Sequence, residues 1–513
     1  MTPLLRSALL RLPIPVALGA LLLAGCTSAT PPTPAPTSTD GYYSQRISWT
    51  SCGSGLQCGK LRVPLDYGKP AGDSLELALV RERARNTGQR VGSLIVNPGG
   101  PGESGVAMVK DGTEQFDGPL HDRFDIVGFD PRGTGDSSPV RCLTDQQRDA
   151  QDQQDDPADP QARKAVRAQR DKSYAAACEA GSGKLLPYVG TRNTARDMDL
   201  LRQALGDARL NYLGVSYGTY LGALYAEEFP TRTGRLVLDG AVDPAADKLD
   251  SSVQQQIGFE KSLERFATDC VTKHPDDCPL GSDPAKAGEN AAAFLDGLRD
   301  KPLPTGDHDG RKLTSGLGWT GALLFLYGDQ DTAWRELRSA LSSAIRQGSG
   351  DRLLAAADAY NGRDKNGHYT ASDDAQTAIG CADAASPTPS AARVQQVLGE
   401  LKQQAPLLNR DTTAEDVQGA GCADWPFQTT EQPHTVRAEG SAPILVIGTT
   451  GDPATPYQSA VNLAKGFANA TLLTRQGEGH AAFGSGNSCV DSALDGYLVS
   501  GTVPAANTSC AQE

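Results

Sequence analysis

The chain has 513 residues, of which 38% are hydrophobic and 21% charged, an ordinary balance for a globular protein large enough for more than one domain. Its formal net charge of −14 argues against a nucleic-acid partner and against electrostatic attachment to anionic lipid. No internal repeat of the solenoid type is visible.

The N-terminus has the form of a targeting segment. Two arginines precede an apolar run that is too short and too interrupted by proline to span a bilayer. The run ends in Leu-Leu-Ala-Gly before Cys26, which resembles a bacterial lipoprotein signal and implies that Cys26 is acylated and becomes the first mature residue. An ordinary secretory signal is the alternative. We therefore predict a signal peptide over residues 1–25, a Pro/Thr-rich tether over 26–45, and an extracytoplasmic protein that is lipid-anchored to the cell membrane or secreted.

Cysteine usage agrees with an oxidising compartment. Setting Cys26 aside leaves ten of the 11 cysteines, an even number that suits a disulfide framework. No C-x-x-C or H-x-x-x-H spacing occurs, so we predict no metal site. The connectivity stays open, and pairing neighbours gives as a hypothesis Cys52–Cys58, Cys142–Cys178, Cys270–Cys278, Cys381–Cys422 and Cys489–Cys510.

The chain then alternates between strand-like and helix-like segments, a pattern typical of a parallel sheet with helices on both faces. Short apolar runs that predict strands lie at residues 91–96, 124–129, 210–213, 234–238, 442–448 and 470–474. Between residues 245 and 441 the pattern is largely helical. We therefore predict an α/β protein whose sheet core, residues 46–244 and 442–513, is interrupted by a helical cap insertion over 245–441. An insertion at the carboxyl edge of such a sheet covers the position where ligands bind.

The sequence Gly214-Val-Ser216-Tyr-Gly218 follows a predicted strand and precedes a predicted helix. A serine between two glycines at such a turn is the nucleophile-elbow pattern, and the helix N-terminus favours developing negative charge. In a chain with 56 glycines, the short pattern alone is close to a chance match. Its interpretation therefore depends on whether the chain also supplies a base, an acid and an oxyanion hole.

Chain order selects the base and the acid. On an α/β-hydrolase sheet the nucleophile is followed by the acid and then the histidine. His480 alone among the six histidines comes after the last predicted strand, in a glycine-rich loop. Asp452 follows the preceding strand and is placed to bind the His480 imidazole. Asp243, and with less support Asp239, are competing acids.

An oxyanion hole is predicted from two backbone N–H groups. One belongs to Tyr217, directly after the candidate nucleophile, and the other to the loop Asn97-Pro-Gly-Gly-Pro-Gly102. Glycines let this backbone approach a substrate closely, and the prolines stiffen it. Gly99 or Gly100 is the expected donor.

Four motifs in register resemble those of the secreted tripeptidyl aminopeptidases, which are α/β-hydrolases related to prolyl aminopeptidases. They lie at residues 97–102, 128–135, 214–222 and 451–456, and the resemblance runs from about residue 48 to the C-terminus. It implies a serine exopeptidase that cleaves short peptides from a free N-terminus, with Ser216, Asp452 and His480 as the triad and without a cofactor. The family's glycine loop usually continues with another glycine where this chain has Glu103.

The tetrapeptide Gly-Cys-Ala-Asp occurs twice and ends in Asp383 and in Asp424. If the adjacent cysteines were bridged, two carboxylates would lie together in the cap and could bind a substrate ammonium. The alternative is a pair of surface aspartates beside a structural disulfide. Trp425 could line a side-chain pocket, although a buried core position is the safer interpretation, and Glu103 is a further candidate for substrate binding.

The sequence thus predicts a monomeric serine exopeptidase whose partners are peptide substrates and, through its N-terminal anchor, the membrane. A carboxylesterase or a restricted serine protease on the same triad is the alternative. A non-catalytic binding lipoprotein is a more remote one, since no member of the triad is missing.

Overall fold

The computed structural model describes residues 38–419 and 422–512. The predicted signal peptide, Cys26 and the first part of the predicted tether lie outside these residues. The end of that tether is folded rather than extended, because it forms helix α1 (Thr39–Tyr43), whose Tyr42 side chain is completely buried. The folded part therefore begins before the predicted residue 46.

A mixed sheet forms the centre of the described residues. Its strands are β1 (Thr50–Gly53), β2 (Leu56–Pro64), β3 (Ser74–Glu82), β4 (Gly92–Asn97), β5 (Phe124–Phe129), β6 (Leu210–Val215), β7 (Thr233–Asp239), β8 (Ile444–Gly451), β9 (Ala470–Glu478) and β10 (Ser509–Cys510). Their order across the sheet is β1-β2-β3-β5-β4-β6-β7-β8-β9-β10. Pairing is antiparallel from β1 to β5 and parallel from β5 to β10. The predicted α/β fold with a mostly parallel sheet is confirmed.

The parallel strands are apolar at successive positions because both faces of the sheet are covered. On β4, Ile95 packs into the hydrophobic cluster on one face, while Leu94 and Val96 pack into the cluster on the other. On β6, Tyr212 and Leu213 divide between the same two clusters. Two buried faces explain why these strands read as continuous hydrophobic runs.

Helices surround the sheet, and eight of those in the described residues lie in the long stretch of sequence between β7 and β8. Those outside that interval are α1, α2 (Gly105–Asp111), α3 (Pro119–Arg123), α4 (Asp145–Asp152), α5 (Pro160–Ser182), α6 (Thr191–Leu205), α7 (Tyr217–Glu228), α16 (Tyr457–Gly466) and α17 (Ser488–Ser500). Those within it are α8 (Lys248–Lys273), α9 (Pro284–Gly297), α10 (Ser315–Leu326), α11 (Ala333–Ser342), α12 (Asp351–Tyr360), α13 (Ser372–Asp383), α14 (Ala391–Gln404) and α15 (Ala414–Gly419). None of the helices in residues 38–419 and 422–512 is both long and apolar enough to cross a bilayer.

The helical interval has its own hydrophobic cluster, which includes Phe266, Trp334 and Leu353. Two residues from the later part of the insertion, Ile379 and Trp425, belong instead to the hydrophobic cluster that covers one face of the sheet. The inserted helices are therefore continuous with the sheet's core at one end.

Five disulfides lie within the described residues. They join Cys52 to Cys58, Cys142 to Cys178, Cys270 to Cys278, Cys381 to Cys422 and Cys489 to Cys510, the same neighbouring pairs that the sequence suggested. The sequence supplied the even number and, as a hypothesis, the neighbouring pairs, and the fold brings the two cysteines of each pair together.

Candidate active site

Ser216 occupies a sharp turn between β6 and α7. Its backbone has φ 57° and ψ −124°, a left-handed φ that a residue with a Cβ rarely adopts. The strand hydrogen bond from Ser216 N–H to the Asp239 carbonyl (2.9 Å) and the helix that starts at Tyr217 hold the turn from both sides. This strained conformation presents the serine side chain at the carboxyl edge of the sheet, as a nucleophile elbow requires.

Glycines are needed beside this turn because other backbone approaches it closely. A Cβ atom on Gly214 would lie 2.4 Å from the Gly218 carbonyl oxygen, and one on Gly218 would lie 2.8 Å from Asn97 Oδ1. A Cβ atom on Gly99 would lie 2.9 Å from the Cβ of Ser216. The loop after β4 is therefore packed directly against the candidate nucleophile.

His480 and Asp452 come together at the ends of β8 and β9. His480 Nδ1 lies 3.0 Å from Asp452 Oδ1 and 2.9 Å from Oδ2. The His480 backbone N–H also donates to the Tyr327 carbonyl (2.7 Å), which fixes the loop that carries the imidazole. A carboxylate on Nδ1 leaves Nε2 of the neutral ring free to act as a base.

Asp452 is buried, and its carboxylate is oriented by several donors besides the imidazole. The backbone N–H groups of Ala454 and Thr455 donate to Oδ1 at 2.9 and 2.8 Å. The Thr455 hydroxyl and the Ala481 N–H donate to Oδ2 at 2.9 and 3.1 Å. The acid is thus held in place before any substrate binds.

The two competing acids do not contact His480. Asp239 is completely buried and accepts hydrogen bonds from the backbone N–H groups of Ala482 (2.9 Å) and Phe483 (2.6 Å). Asp243 accepts from the Asn462 side chain and from the Ala245 N–H. Geometry therefore favours Asp452 as the partner of the imidazole.

The charge balance around His480 favours its protonated form. Burial lowers the pKa of the imidazole, but the carboxylates of Asp452 and Asp239 outweigh burial, so the net pKa is raised. This is the environment that stabilises an imidazolium during proton transfer from a serine.

Ser216 and His480 lie at the same edge of the sheet and are linked through the end of β7. The Ser216 N–H donates to the backbone carbonyl of Asp239. The next residue, Gly240, lies so close to the imidazole that a Cβ atom on it would be 3.2 Å from His480 Cε1. Within residues 38–419 and 422–512, the Ser216 hydroxyl makes no hydrogen bond to His480. In ligand-free hydrolases this contact is often long and shortens when substrate binds.

Of the two glycine N–H groups predicted for the oxyanion hole, that of Gly100 is the one left without a partner in the described part of the chain. Gly99 N–H already donates to Asn97 Oδ1 (3.1 Å), so it is not available to a substrate. Gly100 N–H and the Tyr217 N–H at the start of α7 have no acceptor among the described residues. Asn97, which sequence analysis included only as the first residue of the motif, is completely buried and shapes this loop.

Residues of the insertion contact the loops that carry His480 and Asp452. The Tyr327 ring packs edge-on against the His480 ring with centroids 5.6 Å apart. Gln255 on α8 donates to the Ala454 carbonyl beside Asp452 (3.1 Å), and Arg265 on the same helix pairs with Glu478 (2.6 Å). The sequence analysis missed Tyr327, because nothing in the sequence shows which insertion residue reaches the histidine.

Asp383, predicted as a substrate contact, is bound instead to the protein. Its carboxylate accepts from the Thr191 N–H (2.5 Å) and the Thr191 hydroxyl (2.6 Å), and that hydroxyl in turn contacts the Tyr217 hydroxyl. Burial raises the pKa of Asp383 to about 6 despite the hydrogen bonds from Thr191. These contacts link Asp383 to Tyr217 through Thr191, and binding of a substrate ammonium by Asp383 stays a prediction.

Asp424 and Trp425 differ in their exposure to solvent. Asp424 is exposed, and the carboxyl group that its charge influences is that of Asp171. Trp425 is buried in the core that covers the sheet, the alternative that the sequence analysis preferred. The disulfide Cys381–Cys422 joins the two segments that carry Asp383 and Asp424.

Glu103 stays a candidate for substrate binding. It is exposed directly after the glycine loop. Burial raises the pKa of Asp373 to about 6, and the charge of Glu103 contributes in the same direction. The loop and the start of α13, which carries Asp373, are in contact, since Gln376 Nε2 donates to the Gly100 carbonyl at 3.4 Å.

A potential metal-ligand cluster lies elsewhere. Ligand atoms of Asp307, His308 and Asp309 all fall within 4.8 Å of one another. Asp307 pairs with Arg311 (3.0 Å) and Asp309 with Arg363 (2.8 Å), so the carboxylates already have cationic partners. Carboxylates paired in this way give no reason to place a metal in the reaction.

Comparison with known proteins shows the family to which the chain belongs. A sequence profile described as "TAP-like protein" matches residues 405–510, the part that carries Asp452 and His480. Serine protease Hip1 of Mycobacterium tuberculosis is 40% identical over 490 residues, covering 91% of each chain. Carboxylesterase B of the same organism is 39% identical over 512 residues (96% of each chain). Tripeptidyl aminopeptidase of Streptomyces lividans is 32% identical over 483 residues, 91% of this chain and 86% of that one. The chain belongs to this TAP-like family of α/β-hydrolases.

Proposed function

We propose that the protein is a serine exopeptidase in which Ser216, His480 and Asp452 form the catalytic triad. The observation that carries this proposal is the contact of both Asp452 carboxylate oxygens with His480 Nδ1, at the sheet edge where Ser216 occupies its strained turn. The names of the relatives support the peptidase class.

The reaction follows from these positions. His480 Nε2 takes the Ser216 proton as the hydroxyl attacks the peptide carbonyl, and Asp452 stabilises the resulting imidazolium. The N–H groups of Tyr217 and Gly100 bind the oxyanion. His480 then protonates the leaving amine, and a water molecule activated by the same histidine hydrolyses the acyl-enzyme. These steps need no group beyond the chain's own residues and water.

The proposed substrates are short peptides with a free N-terminus. The helices between β7 and β8, proposed as a cap over residues 245–441, contact both catalytic loops, which favours small or terminal substrates over folded proteins. Glu103, an exposed carboxylate directly after the glycine loop, is the group proposed to bind the substrate ammonium, since the nearby Asp373 is already paired with Arg148 at 2.9 Å.

Labelling and turnover test the proposal together. A fluorophosphonate probe is expected to label wild-type protein at Ser216 and not Ser216→Ala. A free-N-terminus tripeptide anilide is expected to be cleaved faster than its N-acetylated form. Glu103→Gln should raise KM for the free-amine substrate alone; equal effects on both substrates would remove Glu103 from the ammonium site.

A carboxylesterase on the same triad is the second candidate, supported by the relative named carboxylesterase B. Here the discriminating measurement is kcat/KM for the tripeptide anilide against a short-chain p-nitrophenyl ester. A clear preference for the ester, with labelling of Ser216 retained, would assign the protein to the esterases.

We also propose that the protein works outside the cytoplasm as a monomer anchored through an acylated Cys26. The five disulfides support an oxidising location. Mass spectrometry of the N-terminal peptide should find acyl chains on Cys26, and Cys26→Ser should release the protein from the membrane fraction. Light scattering of the released protein should give the mass of one chain.

A further inference from the structure

A polar cleft of about 350 Å³ lies on the helical insertion and shares no residue with the candidate active site. One wall is a face of α11 and the π-helical turn after it (Ser343–Gln347). The start of α12 and the turn after α8 form the other wall. The cleft residues that matter here are three arginines and three serines: Arg335, Arg338, Arg352, Ser339, Ser342 and Ser343.

Helical spacing explains how one surface collects these groups. Positions 335, 338, 339 and 342 are three or four residues apart, so their side chains share a face of α11. The opposite face carries Trp334, Leu337 and Leu341, which are buried in the insertion's hydrophobic cluster. The polar face is therefore held rigidly by the packing of the apolar one.

Arg338 is the unusual member of this group, because it is only 8% exposed. Among the residues that the structure describes, its guanidinium has no hydrogen bond and no ion pair. None of its side-chain nitrogens is completely shielded from solvent. They reach solvent through the cleft that Arg338 lines. A largely buried cation without a partner is costly unless an anion joins it.

The other two cleft arginines are ion-paired only loosely, and both with the same carboxylate. Arg335 Nε and Arg352 Nη1 lie 3.8 and 3.6 Å from Glu336, which is too far for a hydrogen bond. The hydroxyls of the three serines have no hydrogen-bond partner within residues 38–419 and 422–512. One carboxylate, Asp277, lines the cleft together with the three arginines, and Glu336 lies near Arg335 and Arg352.

A second arginine-rich cleft shows that arginines without close carboxylate partners are not a general feature of the protein's clefts. There Arg163 and Arg167 pair with Asp416 at 3.3 and 2.8 Å, and Arg299 pairs with Asp411 at 3.2 Å. Those arginines hold the fold together, whereas the arginines of the α11 cleft are left without comparable partners.

We propose that the α11 cleft binds a phosphate group. A guanidinium donates through a planar fork that suits phosphate oxygens, and hydroxyls supply further donors. Three guanidinium groups and three hydroxyls converge on one space, which suits an anion with several oxygens better than a carboxylate with two. The volume also admits a small group attached to the phosphate, so either a soluble phosphomonoester or the phosphate of a lipid headgroup fits. This binding does not depend on the proposed peptidase reaction.

The test is calorimetric titration of the full chain carrying Cys26→Ser, which cannot be acylated, with inorganic phosphate and with glycerol 3-phosphate. Sodium chloride and sodium acetate at matched ionic strength are the reference ligands. The variants are Arg338→Gln, Arg352→Gln and, as a matched control outside the cleft, Arg437→Gln, whose arginine is exposed and paired with Glu439. Arg352 is also exposed, so its variant tests the cleft without depending on the fold of Arg338→Gln.

We expect saturable binding of phosphate that is weakened at least about tenfold in both cleft variants and unchanged in Arg437→Gln. Sedimentation with phosphatidic acid vesicles, against phosphatidylcholine vesicles, then separates the two sources. Retention that requires Arg352 assigns the phosphate to a lipid, and binding of glycerol 3-phosphate without retention assigns it to a soluble ester. No saturable binding, or equal binding in all variants, would overturn the proposal.

Discussion

Asp239 and Asp452 end neighbouring strands, β7 and β8, and both carboxylates are buried beside the same histidine loop. Asp452 faces the imidazole of His480, whereas Asp239 binds the backbone N–H groups of Ala482 and Phe483 two and three residues further on. One acid therefore orients the base, and the other anchors the loop that carries it.

The difference shows that position at a strand end does not by itself define a catalytic acid. Both aspartates raise the pKa of His480, with Asp452 the stronger. They differ in hydrogen bonding, because a carboxylate on Nδ1 fixes the tautomer and a carboxylate on backbone N–H groups does not. The following predictions separate these two roles.

Asp452→Asn should have the largest effect on catalysis. The amide cannot stabilise the imidazolium and favours the wrong tautomer of His480, so kcat should fall by about 10³- to 10⁴-fold with little change in KM. Steady-state kinetics on the tripeptide anilide measure this. A loss smaller than tenfold would remove Asp452 from the triad.

Asp239→Asn should act mainly on stability. Asparagine keeps one oxygen for the backbone N–H groups of Ala482 and Phe483, which both donate to Oδ2, but it loses the charge that strengthens these hydrogen bonds. The free energy of unfolding should therefore fall by about 1–3 kcal/mol. Urea denaturation followed by fluorescence measures it. Activity should decrease only about tenfold, and a loss equal to that of Asp452→Asn would contradict the division of roles.

Tyr327→Ala should reduce kcat/KM by about three- to tenfold, because an edge-on aromatic contact with His480 contributes about 0.5–1.5 kcal/mol. Tyr327→Phe keeps the ring and serves as the matched control, with activity close to wild type. If both variants lose activity equally, the hydroxyl rather than the ring contact with the histidine is responsible.

The shift in the pH profile of kcat/KM should be the smallest of these effects. It compares directly how strongly Asp452 and Asp239 raise the pKa of His480. His480 must be neutral to accept the serine proton, so kcat/KM falls as the pH drops below its raised pKa. Removing a carboxylate lowers that pKa, which moves the acidic limb of the profile to lower pH. The shift should be larger in Asp452→Asn than in Asp239→Asn, and the reverse order would contradict the geometry.

The sequence could predict those features that depend on chain order and local pattern. Chain order pointed to Ser216, Asp452 and His480, and apolar runs located the parallel strands. Contacts between residues distant in the sequence could not be predicted. An example is the buried pair of Arg132 and Asp197, whose Nη2 and Oδ1 atoms lie 2.6 Å apart. The Arg132 motif was recognised at residues 128–135, but nothing in it shows where its partner is.

The same limit applies to the finer details of the site. Gly99 and Gly100 are equivalent in sequence, and only the hydrogen bond from Gly99 to Asn97 distinguishes them. Asp383 and Asp424 share a repeated tetrapeptide, yet one binds Thr191 and the other is exposed. A repeated motif predicts similar local structure, and the packing around each copy decides its role.

The rate of phosphonylation at Ser216 tests the central claim most directly, since it reports activation of the nucleophile without requiring a known substrate. The second-order rate constant should be measured for wild type, Asp452→Asn and Asp239→Asn with one fluorophosphonate at one pH. We predict a reduction of at least about 100-fold in Asp452→Asn and of no more than about tenfold in Asp239→Asn. Equal rates in the two variants, or a slower rate in Asp239→Asn, would contradict the assignment of Asp452 as the catalytic acid.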